Sequence, residues 1–172
     1  LLDKRDPWRE PVACAESVRL LTYRELSPLP VDPWVRTPIE HCLFSTGRAS
    51  FVWSSASEGA IIDRARMHRD LAIACVREGA RCNVRARVVS TGPLQDARRA
   101  VEVEIDGIRQ TVRARAVIDA TGPGKGLGRD EGVSSGDSDL ETAAFTLVEG
   151  LEFDPKTIQL WYGSEFAPGG YA

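Results

Sequence analysis

Four short stretches of the chain carry residue types whose spacing can do chemistry. The first is Asp3, an acid directly behind two apolar residues. An acid closing a strand can accept hydrogen bonds from a ribose about 20 residues after a glycine-rich phosphate loop. No such loop precedes Asp3 in the sequence, and an acid in this setting, read alone, is more often simply solvated. The second stretch is Glu10-Pro11-Val12-Ala13-Cys14-Ala15-Glu16, a single cysteine in a proline-led loop, which is structural unless its neighbours give the thiol a task. The third is Ile61-Ile62-Asp63-Arg64, followed by Met67, His68 and Leu71. Asp63 suits the start of a helix, where an acid satisfies free N–H groups, and Arg64 by itself needs to be no more than a solvated cation. The fourth and most specific runs from Ala116 through Asp119-Ala120-Thr121-Gly122-Pro123-Gly124 to Arg129. An apolar run delivering small residues into a turn lets the backbone approach a pyrophosphate or a flavin, although a purely structural turn needs only one of those glycines.

The elements that must position these residues follow from periodicity. Apolar residues between Asp63 and Glu78 recur at helical spacing, and Gly79 stands where such a helix stops. Two apolar runs, 41–45 and 49–53, flank Thr46-Gly47-Arg48 and predict a hairpin whose aromatics face a core or a ligand. Cys82 to Val89, Ala100 to Ile105 and Ile108 to Val112 predict three antiparallel strands, the last two joined by Asp106-Gly107. Ala114 to Ile118 is expected to be a short buried strand feeding the glycine turn. Strands are also expected at 143–148 and 157–162, with 129–141 a loop. Residues 6–38, rich in proline, predict a long irregular connection with one short helix near Ala15 to Leu21. Long structured connections tend to carry function.

Composition narrows the classes. The chain has 172 residues, 42% hydrophobic and 27% charged, with a net charge of −3, and lacks the basic surplus that draws a protein to nucleic acid. No apolar run approaches the roughly 20 residues that cross a bilayer, so a cytoplasmic protein is expected, in contact with a membrane surface at most. Cys14, Cys42, Cys75 and Cys82 stand singly, without the paired spacing of a zinc site or a disulfide framework, so no metal is expected.

Taken in order, these pieces resemble one family. An acid behind a strand, a PxxCxE loop, a helix led by Asp-Arg and ending in Gly-Ala, a three-stranded excursion and a strand entering an Ala-Thr-Gly-Pro turn resemble the geranylgeranyl reductases, a branch of the FAD-dependent oxidoreductases that include the aromatic hydroxylases. Ala167-Pro168-Gly169-Gly170-Tyr171-Ala172 is similar to the opening of that family's substrate-pocket motif. The resemblance covers nearly the whole chain, as an interior portion of such a protein. It implies that Asp3 lies near the adenosine ribose of FAD, that Arg87 and Val88 pass the adenine, and that Arg64 lies close to the cofactor. It further implies that Ala120, Thr121, Gly122 and Pro123 form the turn packed on the dinucleotide, that Cys14 stands near the isoalloxazine and the reacting alkene, and that Gly170 and Tyr171 line a lipid pocket. Thr121 departs from the Asp common at its position, which replaces a charge-assisted hydrogen bond by a neutral one.

The implied fold is α/β: an incomplete Rossmann-like FAD-binding sheet with an inserted, mainly antiparallel substrate domain. The expected divisions are 1–39, a strand end and a cofactor and substrate loop; 40–62, a substrate-domain hairpin; 63–128, part of the FAD-binding domain; and 129–172, the start of a substrate-binding β domain. The implied activity is reduction of carbon-carbon double bonds in a polyprenyl group on a lipid or pigment precursor, with NAD(P)H or another donor restoring the reduced flavin. A flavin monooxygenase or halogenase would share Asp3, the helix and the glycine turn but not the PxxCxE loop or the Gly-Gly-Tyr ending. A non-catalytic isoprenoid- or nucleotide-binding protein is the reading from another class.

Overall fold

A computed structural model of the chain describes all residues except 7–11, 13, 123–126 and 128–142, and the side chains of 55–58 apart. The chain divides into two compact units, one formed by 1–10 with 72–142 and the other by 11–71 with 143–172.

The unit containing 11–71 and 143–172 is built on a five-stranded sheet. Its strands are β1 (Ser17–Arg19), β2 (Val35–Ser45), β3 (Ser50–Ile62), β7 (Thr157–Gly163) and β8 (Ala167–Tyr171), in the order β1-β3-β2-β7-β8. The pairing is antiparallel except between β2 and β7, which run parallel with Phe44 opposite Leu160. The predicted hairpin is present and longer than the apolar runs alone indicate. Thr46 and Ala49 close its turn, and Gly47 supplies the positive φ of 78° that a bulkier residue resists. The short helix expected near Ala15 to Leu21 lies later, as α1 (Leu20–Leu26), because Ser17 to Arg19 are taken up pairing with Gly59 to Ile61. Val18, Leu20, Val31, Trp34, Ala60, Ile62 and Met67 form the core. Trp34 is only 2% exposed and would strand its indole N–H, but that group donates to Asp70 Oδ2 at 2.8 Å.

The helix α2 (Arg64–Arg77) matches the expected span, with residues up to Leu71 in this unit and the remainder in the other. Its start is capped by Asp63, whose Oδ1 accepts the Arg66 N–H at 2.8 Å. Its end is closed by Gly79 at φ 90°, with the Ala80 N–H returning to Cys75 O.

The unit formed by 1–10 and 72–142 holds the expected meander, β4 (Ala86–Gln95), β5 (Arg98–Ile105) and β6 (Ile108–Ala114), but its first strand starts later than the expected Cys82 because Arg85, at φ 50°, interrupts the extended chain. Beside it Leu2 and Asn83 form a parallel bridge, a remnant of the α/β pattern. Ala86, Val101 and Val103 are the core, with Leu2, Val88, Ile105 and Ala114 against them. Both hairpin turns use residues at positive φ, Asp96 with Ala97 and Asp106 with Gly107, the backbone twist that two-residue turns require.

Two expected strands are corrected. β6 ends at Ala114, and the following residues to Gly122 are exposed with no regular structure. Residues 143–148 are also exposed and without strand pairing. Apolar, β-prone residues become a strand only beside a partner edge, and among the described residues none pairs with either segment. The expected loop at 129–141 lies outside the described residues.

Candidate functional site

Cys14, Glu16 and Arg64 converge in one unit through the backbone of Glu16. Glu16 holds φ at 62°, a left-handed conformation unusual for a residue with a side chain. Its N–H reaches the Cys14 Sγ at 3.4 Å, its carbonyl accepts the Ile62 N–H at 3.0 Å, and its Oε1 accepts the Arg64 N–H at 3.1 Å. The Asp63 carboxylate takes the Arg66 N–H and pairs with the Arg36 guanidinium at 3.1 Å. The Arg66 N–H first, then Arg36, hold the Asp63 carboxyl below its ordinary value, against partial burial pushing the other way. Arg64 is treated differently: its Nε is buried and has no hydrogen-bond partner among the described residues. A buried donor without an acceptor is costly, and such groups persist where a ligand supplies the acceptor. Of the cysteine motif, Glu10, Pro11 and Ala13 lie outside the described residues.

Asp3, Arg87 and Val88 meet in the other unit. The Asp3 N–H donates to Asn83 O at 3.0 Å, and its carbonyl accepts the Ala86 N–H at 2.9 Å, which sets Arg87 and Val88 on the strand leading away from it. Asp3 Oδ1 accepts the Arg5 N–H at 2.9 Å, and among the described residues Oδ2 makes no bond. The acid thus has one oxygen free for a hydroxyl donor. Arg87 is exposed on β4 and Val88 half-buried against the core. In the same unit Asp119 Oδ1 accepts both the N–H and the hydroxyl of Thr121, at 3.0 and 2.7 Å, and Gly122 turns the chain at φ 81°. Ala120, Thr121 and Gly122 are exposed, and Pro123 lies outside the described residues.

Tyr171 belongs to an aromatic face that the sequence indicates only in fragments. Phe44 pairs with Phe51 and with Leu160, and Cys42 with Trp53 and with Ile158, so all six share one side of the sheet. Tyr162 and its partner Tyr171 continue that side onto β7 and β8. Ring centroids step across the strands at 4.9 Å from Phe51 to Phe44, 6.3 Å to Tyr162 and 5.9 Å to Tyr171. Phe51, Trp53 and Tyr171 are 62%, 56% and 63% exposed, and a groove of about 360 Å³ opens between Phe44, Phe51, Tyr162 and the hairpin turn. A contiguous exposed apolar face of this kind is unlike ordinary solvent-facing sheet and is a candidate contact surface. Partial burial pushes the Cys42 thiol up, so the one thiol on this face stays protonated and apolar. Gly170 sits on β8, half-buried, with open space where a side chain would project.

The residues given no role from the sequence are Glu16 and Tyr162, while Phe44 and Phe51 belong to the hairpin whose aromatics were expected to face a core or a ligand. Nothing in the pattern of Pro168-Gly169-Gly170 announces a strand, so the stacking of Tyr162 on Tyr171 was hidden. Among the described residues no group of three or more His, Cys, Asp or Glu is placed to hold a metal, all four cysteines are unpaired, and no helix is long and apolar enough to cross a membrane.

The structure overlays on a geranylgeranyl bacteriochlorophyll reductase-like protein from Thermoplasma acidophilum with a TM-score of 0.74 at 16% identity, over 96% of this chain and 44% of that one. It also overlays on CmlS, a flavin-dependent halogenase, with a TM-score of 0.57 at 23% identity, over 76% of this chain and 26% of that one. The fold is therefore the α/β fold that these two proteins share, a Rossmann-like part with a mainly antiparallel sheet. In sequence the chain is similar, over nearly its whole length, to curated digeranylgeranylglycerophospholipid reductases. It is 31% identical to digeranylgeranylglycerophospholipid reductase 1 of Methanopyrus kandleri over 177 residues, all of this chain and 46% of that protein. It is 28% identical to digeranylgeranylglycerophospholipid reductase of Methanosarcina acetivorans over 181 residues, 99% of this chain and 44% of that protein. The chain spans under half the length of the curated relatives it matches. No family profile matches it.

Proposed function

We propose that the protein to which this chain belongs is an FAD-dependent reductase of carbon-carbon double bonds in a polyprenyl group carried by a lipid. The observation that carries the reading is similarity along 99 to 100% of the chain to proteins named as digeranylgeranylglycerophospholipid reductases. The residues present fit the cofactor: among the described residues a buried Arg64 Nε lacks an acceptor and one Asp3 carboxylate oxygen makes no bond. Asp3 would take the adenosine ribose, Arg87 and Val88 would flank the adenine, Arg64 would meet an anionic or carbonyl group of the cofactor, and Ala120 to Pro123 would pack on the dinucleotide. When bound, FAD reduced by NAD(P)H or another donor supplies the hydride that an unpolarised alkene needs.

The chain's own residues do the rest. The aromatic face of Phe44, Phe51, Tyr162 and Tyr171, with the open space at Gly170, binds and aligns an isoprenoid chain, because a hydrocarbon gains most where flat apolar groups replace water. Cys14 delivers a proton to the alkene carbon next to the one that receives hydride, or gates access to it. Held by its neighbour's backbone at Glu16, the thiol has a fixed direction in which to do so. The lipid substrate places the enzyme at a membrane surface during turnover.

The test is anaerobic. Cys14→Ser in the full-length protein is expected to leave flavin bleaching by the donor intact and to slow re-oxidation by a geranylgeranyl lipid about 100-fold, the scale of a lost general acid. Unchanged re-oxidation removes Cys14 from the reaction. Oxygen uptake tied to substrate would turn the reading to a monooxygenase or halogenase.

A further inference from the structure

Glu16 touches both Cys14 and Arg64, through its N–H and its carboxylate respectively. Glu16 is held at φ 62°, and three separate bonds secure it there: its N–H to Cys14 Sγ, its carbonyl from Ile62 N–H, and its carboxylate from Arg64 N–H. Backbone held in a sparsely populated region persists when its surroundings over-determine it, and the observed outlier is a lead to function.

The use made of the carboxylate is the informative part. A glutamate next to an arginine ordinarily pairs with the guanidinium, and that pair would neutralise the cation. Here the carboxylate takes the backbone N–H of Arg64 instead, one of the N–H groups that a helix start leaves unbonded. The other nearby acid, Asp63, is committed to Arg66 and Arg36. Both acids at the start of α2 are thereby occupied, while the Arg64 Nε stays buried and without an acceptor among the described residues. Arg64 is held through its main-chain N–H, and neither of these acids is spent on its guanidinium.

We propose that Glu16 is a positioning residue: it locks the Cys14 thiol and the first residue of α2 into one array and keeps the Arg64 guanidinium uncommitted for the cofactor. This rests on the reading that Cys14 and Arg64 face bound FAD. Glu16 itself touches neither cofactor nor substrate; it acts through the direction it imposes on its two neighbours.

Two variants of the full-length protein separate positioning from simple structural support. Glu16→Gly suits φ 62° better than glutamate does and keeps both backbone bonds, yet lacks the carboxylate. Glu16→Gln keeps an amide oxygen able to accept the Arg64 N–H. The readouts are the Tm of the FAD-free protein, the Kd for FAD from flavin fluorescence quenching, and the rate of iodoacetamide labelling of the Cys14 peptide at fixed pH. Glu16→Gly is expected to hold or raise the Tm while weakening FAD by about tenfold, the effect of one lost charge-assisted hydrogen bond transmitted to the guanidinium, and to change Cys14 labelling. Glu16→Gln should stay within about threefold of the wild type, because the acceptor is retained. Wild-type FAD affinity and labelling in Glu16→Gly would overturn the proposal, as would a Glu16→Gln as weak as Glu16→Gly. A wild-type protein that binds no FAD would remove the functional reading itself, an outcome distinct from either.

Discussion

Arg64 is the residue on which physical cost and chemical use are most directly opposed. Its buried Nε lacks an acceptor among the described residues, so in the cofactor-free protein it should be a liability. Arg64→Met, close in length and without the donor, is expected to stabilise the cofactor-free full-length protein by roughly 1 kcal/mol and to weaken FAD binding about tenfold or more. Thermal melts and an FAD titration on one preparation measure both, and loss of stability in Arg64→Met would show that the guanidinium is satisfied in the free protein. Asp63, one residue earlier, titrates in a definite direction. Its folded-state carboxyl lies below its ordinary value, so its stabilisation is complete above the ordinary carboxylate range near about 4 and fades as pH falls through the depressed value. Asp63→Ala should cost about 1 kcal/mol at neutral pH as a lost helix cap, with the difference from wild type shrinking in acid; urea melts at pH 7 and pH 3 would check it. The cap Asp63 was legible in the sequence because a helix start has a recognisable acid. Glu16 was not, since its role depends on a left-handed backbone that only the fold imposes.

At the scale of elements, the sequence was most informative where local pattern and local pairing coincide. The helix α2 carried its own start and stop signals, and the hairpin of β2 and β3 and the meander of β5 and β6 were each closed by a turn readable from Gly47 or Asp106-Gly107. The turn between β4 and β5 went unread because it is made by Asp96 and Ala97, and alanine gives no turn signal although its φ is 56°. That mismatch has a measurable consequence. Ala97→Gly should stabilise the protein by about 1 kcal/mol, since glycine pays no penalty for the left-handed region; an unchanged denaturation midpoint would mean the turn relaxes in solution. The segments 114–118 and 143–148 failed the opposite way. Their residues are apolar and β-prone, yet strand formation depends on a partner edge that composition does not reveal.

At the scale of the whole molecule, the aromatic face is the feature that would link the fold to the proposed polyprenyl substrate. It is assembled from four strands, and its members lie as far apart in sequence as Phe44 and Tyr171, so no local window displays it. Phe51→Ser and Tyr162→Ser in the full-length protein are expected to raise the KM for a geranylgeranyl lipid by about tenfold each, the value of an aromatic contact with hydrocarbon, while leaving the flavin spectrum unchanged. An unaltered KM in both variants would move the isoprenoid site away from this face. The family itself was legible because its pieces are colinear in the chain, even though each alone has an ordinary structural explanation.

The central claim is tested most directly by the visible spectrum of the full-length protein, recorded anaerobically before and after NADPH and then after a geranylgeranyl lipid. The account predicts oxidised-flavin bands that bleach with the donor and return when the lipid is added. Bands that bleach but do not return with the lipid would contradict alkene reduction, and a colourless protein that takes up no FAD would contradict the enzyme reading altogether.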